Sequence, residues 1–415
     1  MFTTGRISNF VSWSKGDGMP QATTYDPNTD MPLHQVKVGT GGTGPSDSSA
    51  RPYRTLPNGM PSNKLVYSID SMRIRSGFTG NVIGFGMRRS FGPDTKVTGY
   101  VSVTSVVDSQ AQKKYFQNPP DVREGYLKIE GSWGSFLAGR AAVLFDRGAV
   151  TTDFLYLHGY GLGFPADLNS SGDFPTAGQI GFGVLANGYA AGFVYATPLI
   201  AGTQLSVGAY DPASLTGSDI ERTRYPRGEF ELTTDQQLGA LIKLHIYFNG
   251  AFQANYKQNA TDAIVKNLYG VGYGTRIELG RIFHIGAGGH WGRGLGLAYA
   301  GLSSDAVYDA SDSLRFTNGY FVMGQVVLGP FDLNGGYGRT NVTMTTTDLT
   351  SDSNNPSGDP TYSWIKSQTG ISGAIVFHAR EWLHFDFDVF HADSQWDLGE
   401  RQQINFYNAG TTITW

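Results

Sequence analysis

One-for-one alternation of apolar and polar residues over long stretches restricts the folding of this chain more than any other feature. Val97, Gly99, Val101 and Val103 alternate with Lys96, Thr98, Tyr100, Ser102 and Thr104. Leu127 and Ile129 alternate with Tyr126, Lys128 and Glu130, and Leu383, Phe385, Phe387 and Val389 with His384, Asp386 and Asp388. The same rhythm runs through Leu205–Ala209, Leu238–Phe248 and Phe252–Tyr256. Successive strand side chains point to opposite faces, so each stretch predicts a strand with one apolar face along its whole length. Helices fit poorly. Glycine makes up 56 of 415 residues, about twice the usual share, and penalises a helix interior by about 1 kcal/mol. Residues 174–210 carry no charge, yet Gly181, Gly183, Gly188, Gly192, Pro198 and Gly202 break the run. A membrane helix needs about 20 apolar residues in succession.

Apolar faces this long and this numerous exceed what one sandwich can bury. The remaining solution is a closed barrel, which satisfies its backbone internally and turns its apolar face to lipid. Connection lengths point the same way. Short turns (Gly92-Pro93-Asp94, Asn249-Gly250, Gly280, Gly329-Pro330, Arg380-Glu381) alternate with long polar connections near 108–121, 212–235, 259–263, 293–312, 346–361 and 394–401. Short turns at one end and long loops at the other mark an outer-membrane barrel. Sixteen strands are expected, at 64–75, 81–91, 94–107, 122–132, 134–143, 188–198, 201–211, 236–248, 250–258, 264–279, 281–292, 313–328, 331–345, 362–378, 381–393 and 402–415. The fold class is therefore an all-β transmembrane antiparallel barrel of about sixteen strands. Residues 1–63 form a separate extension, with seven of the 18 prolines and four of the eight methionines. Thr4–Trp13 could be a strand within it, and the extension could plug the lumen, wrap the rim or add a hairpin to make eighteen strands.

A net charge of −4 excludes a strongly basic nucleic-acid binder, and the absence of cysteine excludes disulfides and thiol catalysis. No basic-then-apolar leader opens the chain, so a mature form with its signal peptide removed is expected. His384-x-Asp386-x-Asp388 puts three metal-capable groups on one face, but its ends lie about 13 Å apart. That spacing favours charged pore lining over a metal site. Lys243 also points inward, giving both signs of charge. Gly270-x-Gly272-x-Gly274 lacks the strand–turn–helix context of a nucleotide loop and reads as a strand closely approached by another segment. No G-x-S-x-G elbow is present, so no enzyme activity and no cofactor are expected.

The chain resembles the trimeric general porins of Gram-negative outer membranes. The resemblance rests on Asn81–Gly86 with Thr95–Val103, on Gly125–Gly131 followed by Trp133–Arg140, on Gly192–Pro198 with Gly202, and on the final aromatic Trp415. It implies that 144–187 is a third loop folded into the lumen, with Asp146, Asp153, Asp167 and Asp173 at the constriction. Arg140, Lys128, Glu130 and Lys96 would face them from the wall. Val82 stands where the family often has a ladder arginine, and Arg88 or Arg89 could compensate. Trp415, Ile413 and Tyr407 would form the barrel-assembly signal. Outer-membrane lipid, a homotrimer and small hydrophilic solutes or ions are the implied partners, and passive diffusion the implied function. The alternative is a substrate-specific or plugged barrel, including an outer-membrane hydrolase.

Overall fold

A computed structural model of the chain describes residues 1–17, 53–55, 61–65, 68–77, 80–105, 121–156, 178–185, 187–213, 220–221, 225–254, 256–257, 267–297, 299, 313–347, 365–397 and 399–415. Among them, seventeen strands form one antiparallel sheet. They are β1 (Phe2–Asp17), β2 (Ser68–Arg75), β3 (Asn81–Phe91), β4 (Thr95–Ser105), β5 (Asp121–Gly131), β6 (Gly134–Ala142), β7 (Tyr189–Ala196), β8 (Thr203–Tyr210) and β9 (Arg227–Leu238). β10 (Ile242–Gln253), β11 (Leu268–Leu279), β12 (Phe283–Arg293), β13 (Phe316–Leu328), β14 (Phe331–Thr343), β15 (Ile365–Arg380), β16 (Leu383–Trp396) and β17 (Arg401–Thr414) follow. From β3 onward each strand pairs with the next in sequence. The first and last then meet: Arg6 faces Thr414 and Gly16 faces Ile404 across β1 and β17. The sheet is thus a closed barrel without a free edge.

The barrel has sixteen rungs because β2 and β3 share one. β1 pairs along its first half with β3, Phe2 facing Gly86 and Arg6 facing Val82. Along its second half it pairs with β2, Phe10 facing Arg75 and Asp17 facing Ser68. The expected first strand, 64–75, is therefore the upper half of the second rung, and the true first strand is Phe2–Asp17. No hairpin raises the count to eighteen among the described residues. The rung changes segment at Gly77–Gly80. There the register skips Ile7, Ser8 and Asn9, and the buried Ser8 amide donates to Asn81 Oδ1 at 2.8 Å. Buried amides need such a partner.

A second difference lies at the hairpin expected at Asn249-Gly250. Those residues sit inside β10, and the chain turns instead at Gly239, with φ +69°. Asn-Gly is a strong local hairpin signal, but Asn249 is fully buried on the inner face. A side chain at Gly250 would collide with the Phe230 ring, 2.5 Å from its Cβ. Pairing across two full strands outweighs local turn preference. It also draws Arg227–Asp235, expected in a loop, into the wall.

The outer surface carries the apolar face. Phe85, Phe193, Phe248, Ile285, Ile375 and Phe387 are exposed there. Aromatic pairs cluster near the short-turn end, where Trp133 stacks on Tyr195 with centroids 6.2 Å apart and Phe331 on Phe377 at 4.9 Å. Such girdles mark the lipid–water interface of membrane barrels. Trp415, Ile413 and Tyr407 share this outer face. Trp415 exchanges backbone hydrogen bonds with Gly5, at 2.9 and 3.1 Å, and its indole covers the place a Gly5 side chain would need.

Replacing Asn81 with alanine strips the buried Ser8 amide of its acceptor, and a loss of about 1–3 kcal/mol is expected. Urea unfolding of the protein in lipid vesicles reads it as a lowered midpoint. An unchanged midpoint would show that this junction does not depend on the bond.

Candidate functional site

The long connection between β6 and β7 turns inward. Its first described limb runs from Val143 through a short helix, α1 (Arg147–Thr152), to Tyr156, and its second covers 178–185. Val143, Leu144, Phe145, Leu155, Ile180, Phe182, Val184 and Leu185 are all buried. In a barrel whose outer face meets lipid, the only place for such a segment is the lumen.

The root of the loop is held by one carboxylate. Glu229 Oε2 accepts the Leu144 and Phe145 amides, both at 2.8 Å. Its Oε1 accepts from Arg227 Nε at 2.7 Å and Tyr299 Oη at 2.8 Å. The Arg227 guanidinium lies between the rings of Tyr210 and Tyr299. A buried charge is stable only when paired and hydrogen-bonded, and here both acid and base meet that condition. One turn further on, Arg147 pairs with Glu231.

From this root the loop crosses the lumen. It leaves at β6 and returns at β7, yet Gly183 N donates to Thr340 Oγ1 on β14 at 2.8 Å. Gln179 Nε2 donates to Ser372 Oγ on β15 at 2.7 Å. Phe182 packs on Phe390 of β16 with centroids 5.0 Å apart. In a ring of sixteen rungs, β14 and β15 lie opposite β6 and β7. The far wall makes room with glycines. A Cβ on Gly338 would sit 1.8 Å from the Phe182 carbonyl oxygen, and one on Gly272 would sit 2.4 Å from Asn249 Oδ1 and 3.1 Å from Asp146 Oδ1. The Gly270–Gly274 stretch is thus the closely approached strand that its spacing suggested.

Among the described residues, α1 borders polar pockets on two sides. Thr151 borders a pocket of about 550 Å³ against Asp235, Lys243, His245, Arg276 and Glu278 on β9–β11. Arg147 borders a pocket of about 480 Å³ along β5–β8, lined by Glu124, Tyr126, Lys128, Glu130 and Gln204. Lys128 Nζ donates to Glu130 Oε1 at 2.7 Å, and Lys243 lies 3.6 Å from Glu278.

Asp146 and Asp153, read as constriction charges, do not face the channel. They are 1% and 5% exposed and join the two limbs of the loop. Asp146 Oδ2 accepts the Leu185 amide at 2.8 Å, while Asp153 accepts the Gln179 amide at 2.7 Å and the Leu155 amide at 2.9 Å. Asp167 and Asp173 lie outside the described residues. Lys128, Glu130 and Lys243 line these pockets, and Lys96 is exposed on the register row of Glu130. Arg140 falls in step with the outward-facing Phe136 and Leu127 rather than with the inner wall. Its Nη1 donates to the Val122 carbonyl at 3.1 Å and lies 3.6 Å from Asp121. His384, Asp386 and Asp388 do point inward but are buried. Asp386 accepts from Thr412, Asp388 from Asn408, and His384 contacts His378 at 2.7 Å. They hold the far wall together instead of forming an exposed acidic patch. Of the inner residues that matter most, Glu229, Glu231 and Thr340 were absent from the sequence reading. The alternation Arg227-x-Glu229-x-Glu231 is a visible sign of the two carboxylates alone.

Comparison with solved structures follows from this geometry. The outer-membrane channel DcaP of Acinetobacter baumannii matches with a TM-score of 0.65 at 14% identity, over 100% of this chain and 96% of that one. The anion-selective porin of Comamonas acidovorans matches with a TM-score of 0.57 at 11% identity, over 100% and 99%. The chain has the fold of the Gram-negative outer-membrane porins. OprB of Pseudomonas putida shares it with a TM-score of 0.51 at 9% identity, over 100% and 94%. No protein-family model matches the sequence, and no curated protein does. The porin fold, closed and belted by apolar residues, makes the chain an integral outer-membrane barrel.

Burial raises the Asp146 carboxyl to about 7 and the Asp153 carboxyl to about 6, against an ordinary 3.8, with their amide donors pulling weakly the other way. A raised carboxyl binds its proton more readily in the folded loop than in an undocked one. Loop docking is therefore strongest below about pH 4 and weakens as pH rises towards 6 and 7. Limited proteolysis within 143–187 is expected to be slower at pH 5 than at pH 8, and Asp146→Asn to flatten the difference. Equal rates at both pH values would contradict it. Gly338→Ala forces the Phe182 backbone off the far wall at a cost of about 1–3 kcal/mol, so cleavage in the loop should accelerate.

Proposed function

We propose that this chain forms a water-filled channel through which small hydrophilic solutes and ions pass down their gradients. One observation carries the reading: the loop is anchored on the wall opposite its origin, and beside β5–β8 a pocket lined by polar and charged side chains stays open. A barrel of about sixteen strands is wide enough to leave an aqueous lumen. The loop then sets the size cutoff. Glu124, Lys128, Glu130 and Arg147 bring both signs of charge to the pocket, so ion preference is weak; rings of one sign would make it strong. The channel needs no cofactor and performs no chemistry. A homotrimer would form through the outer face of β4 and β5. There Gly99 and Gly125 have open space where a side chain would be, and neighbouring copies can approach closely.

Planar-bilayer recording of the purified, detergent-folded protein in a KCl gradient tests this. Stepwise currents grouped in threes are expected, with a small reversal potential. A correctly folded barrel that stays silent at all voltages would overturn the diffusion reading and leave a plugged or hydrolytic barrel.

A further inference from the structure

Five polar side chains that the channel reading does not use are linked across the short-turn end of the inner wall. They come from consecutive strands: His284 on β12, Gln325 on β13, Asp332 on β14, His378 on β15 and His384 on β16. His284 Nδ1 lies 2.7 Å from Gln325 Oε1, and Gln325 Nε2 donates to Asp332 Oδ2 at 3.3 Å. His378 Nε2 donates to the same Asp332 oxygen at 2.8 Å. His378 and His384 then face each other directly across β15 and β16. Their Nδ1 atoms are 2.7 Å apart, with ring planes crossing at 88°.

Proton counting leaves the last link of this network one short. A neutral imidazole has one N–H, and a carboxylate only accepts. The His378 proton therefore sits on Nε2, and Nδ1 turns a lone pair towards His384. The His384 ring also donates to the Glu381 backbone, so its single proton answers to two acceptors. A cation between the two Nδ1 atoms meets the shortfall. We propose that His378 and His384 are the protein ligands of a divalent transition-metal site of the Cu(II) class. A metal–imidazole bond is about 2.0 Å long. At the right angle of a square-planar ion two such nitrogens lie about 2.8 Å apart, and at the tetrahedral angle of zinc about 3.3 Å. The observed 2.7 Å matches the first without movement. Copper also binds nitrogen sites more tightly than the other divalent first-row metals. Asp332 is a positioning residue: metal-bound histidines characteristically give their second N–H to a carboxylate, and here Gln325 holds that carboxylate in turn. The partner of His384 thus lies across the hairpin, not along its own strand, where Asp388 is too distant to share an ion. Short turns face the periplasm, and the His378 side chain is 30% exposed, so a metal can enter from that mouth and keep water on its remaining positions.

The test is titration of the full-length, detergent-folded protein with Cu(II) in a non-coordinating buffer, read by electron paramagnetic resonance. Gel mobility separates folded barrels from unfolded chains beforehand. Native protein should give a saturable copper signal with hyperfine structure from two nitrogens. His378→Gln and His384→Gln should each remove that two-nitrogen signal, while His391→Gln, higher on β16, should leave it intact. Asp332→Asn keeps both ligands, so the signal should persist with affinity weakened about 10–100-fold. Folded native protein without a two-nitrogen signal would overturn the site and leave the pair sharing an extra proton. Persistence of the signal in His378→Gln would overturn it as well. Zinc displacing copper at equal concentration would overturn the class of metal, and unchanged affinity in Asp332→Asn would overturn the positioning role.

Discussion

Lipid offers no hydrogen bonds to a backbone, and the architecture of this chain follows from that constraint. Every strand edge has to be paired inside the protein, so the first strand must meet the last. Phe2–Asp17 does so along eleven register positions with β17. Its other edge is too long for one partner and takes two, β3 below and β2 above. The join is completed by a side chain, Asn81, where backbone pairing lapses. Closure also decides which residues face lipid and which face water, because one residue of slip would exchange the two faces.

Closure alone yields an empty tube, and the loop after β6 makes it asymmetric. Glu229 holds the root, and apolar contacts spread the rest over the opposite wall. Phe154, Leu155, Ile180 and Val184 join Tyr247, Phe321 and Met323 in one buried cluster, while Phe182 joins Phe390, Ile404 and Phe406 in another. Fully burying each such side chain is worth about 1.5–3 kcal/mol. The wall beneath the loop therefore behaves as a hydrophobic core, while the described residues along β5–β8 and β9–β11 keep polar pockets. Glycines on the far wall are the structural condition for this division, since any Cβ at Gly338 would meet loop backbone.

Much of the barrel was legible in the sequence. Period-two alternation identifies β4, β5, β8 and β16 directly, and the turn glycines at Gly92, Gly280 and Gly329 sit where the chain reverses with positive φ. Legibility failed where two signals competed. Asn249-Gly250 is a better turn than Leu238-Gly239-Ala240-Leu241 on local grounds, yet the long pairing of β9 with β10 put the reversal at Gly239. Phe2–Asp17 was visible only as a short candidate within an extension, because its alternation is mild and its partner lies almost 400 residues away in sequence. At the site, Lys128 and Glu130 were readable from parity. Asp146 and Asp153 were not, because sequence shows a charge but not the amides it will meet.

Sequence by itself determined that this chain must be a barrel with its apolar face outward. Periodicity, glycine content and the sorting of short turns from long loops are local properties, and the bilayer leaves no other way to satisfy them. Only tertiary structure decided the inside of the barrel. Which carboxylates are buried as staples and which line the pockets depend on contacts between residues far apart in the chain. The cost of burying a charge exists only once the opposite wall is in place.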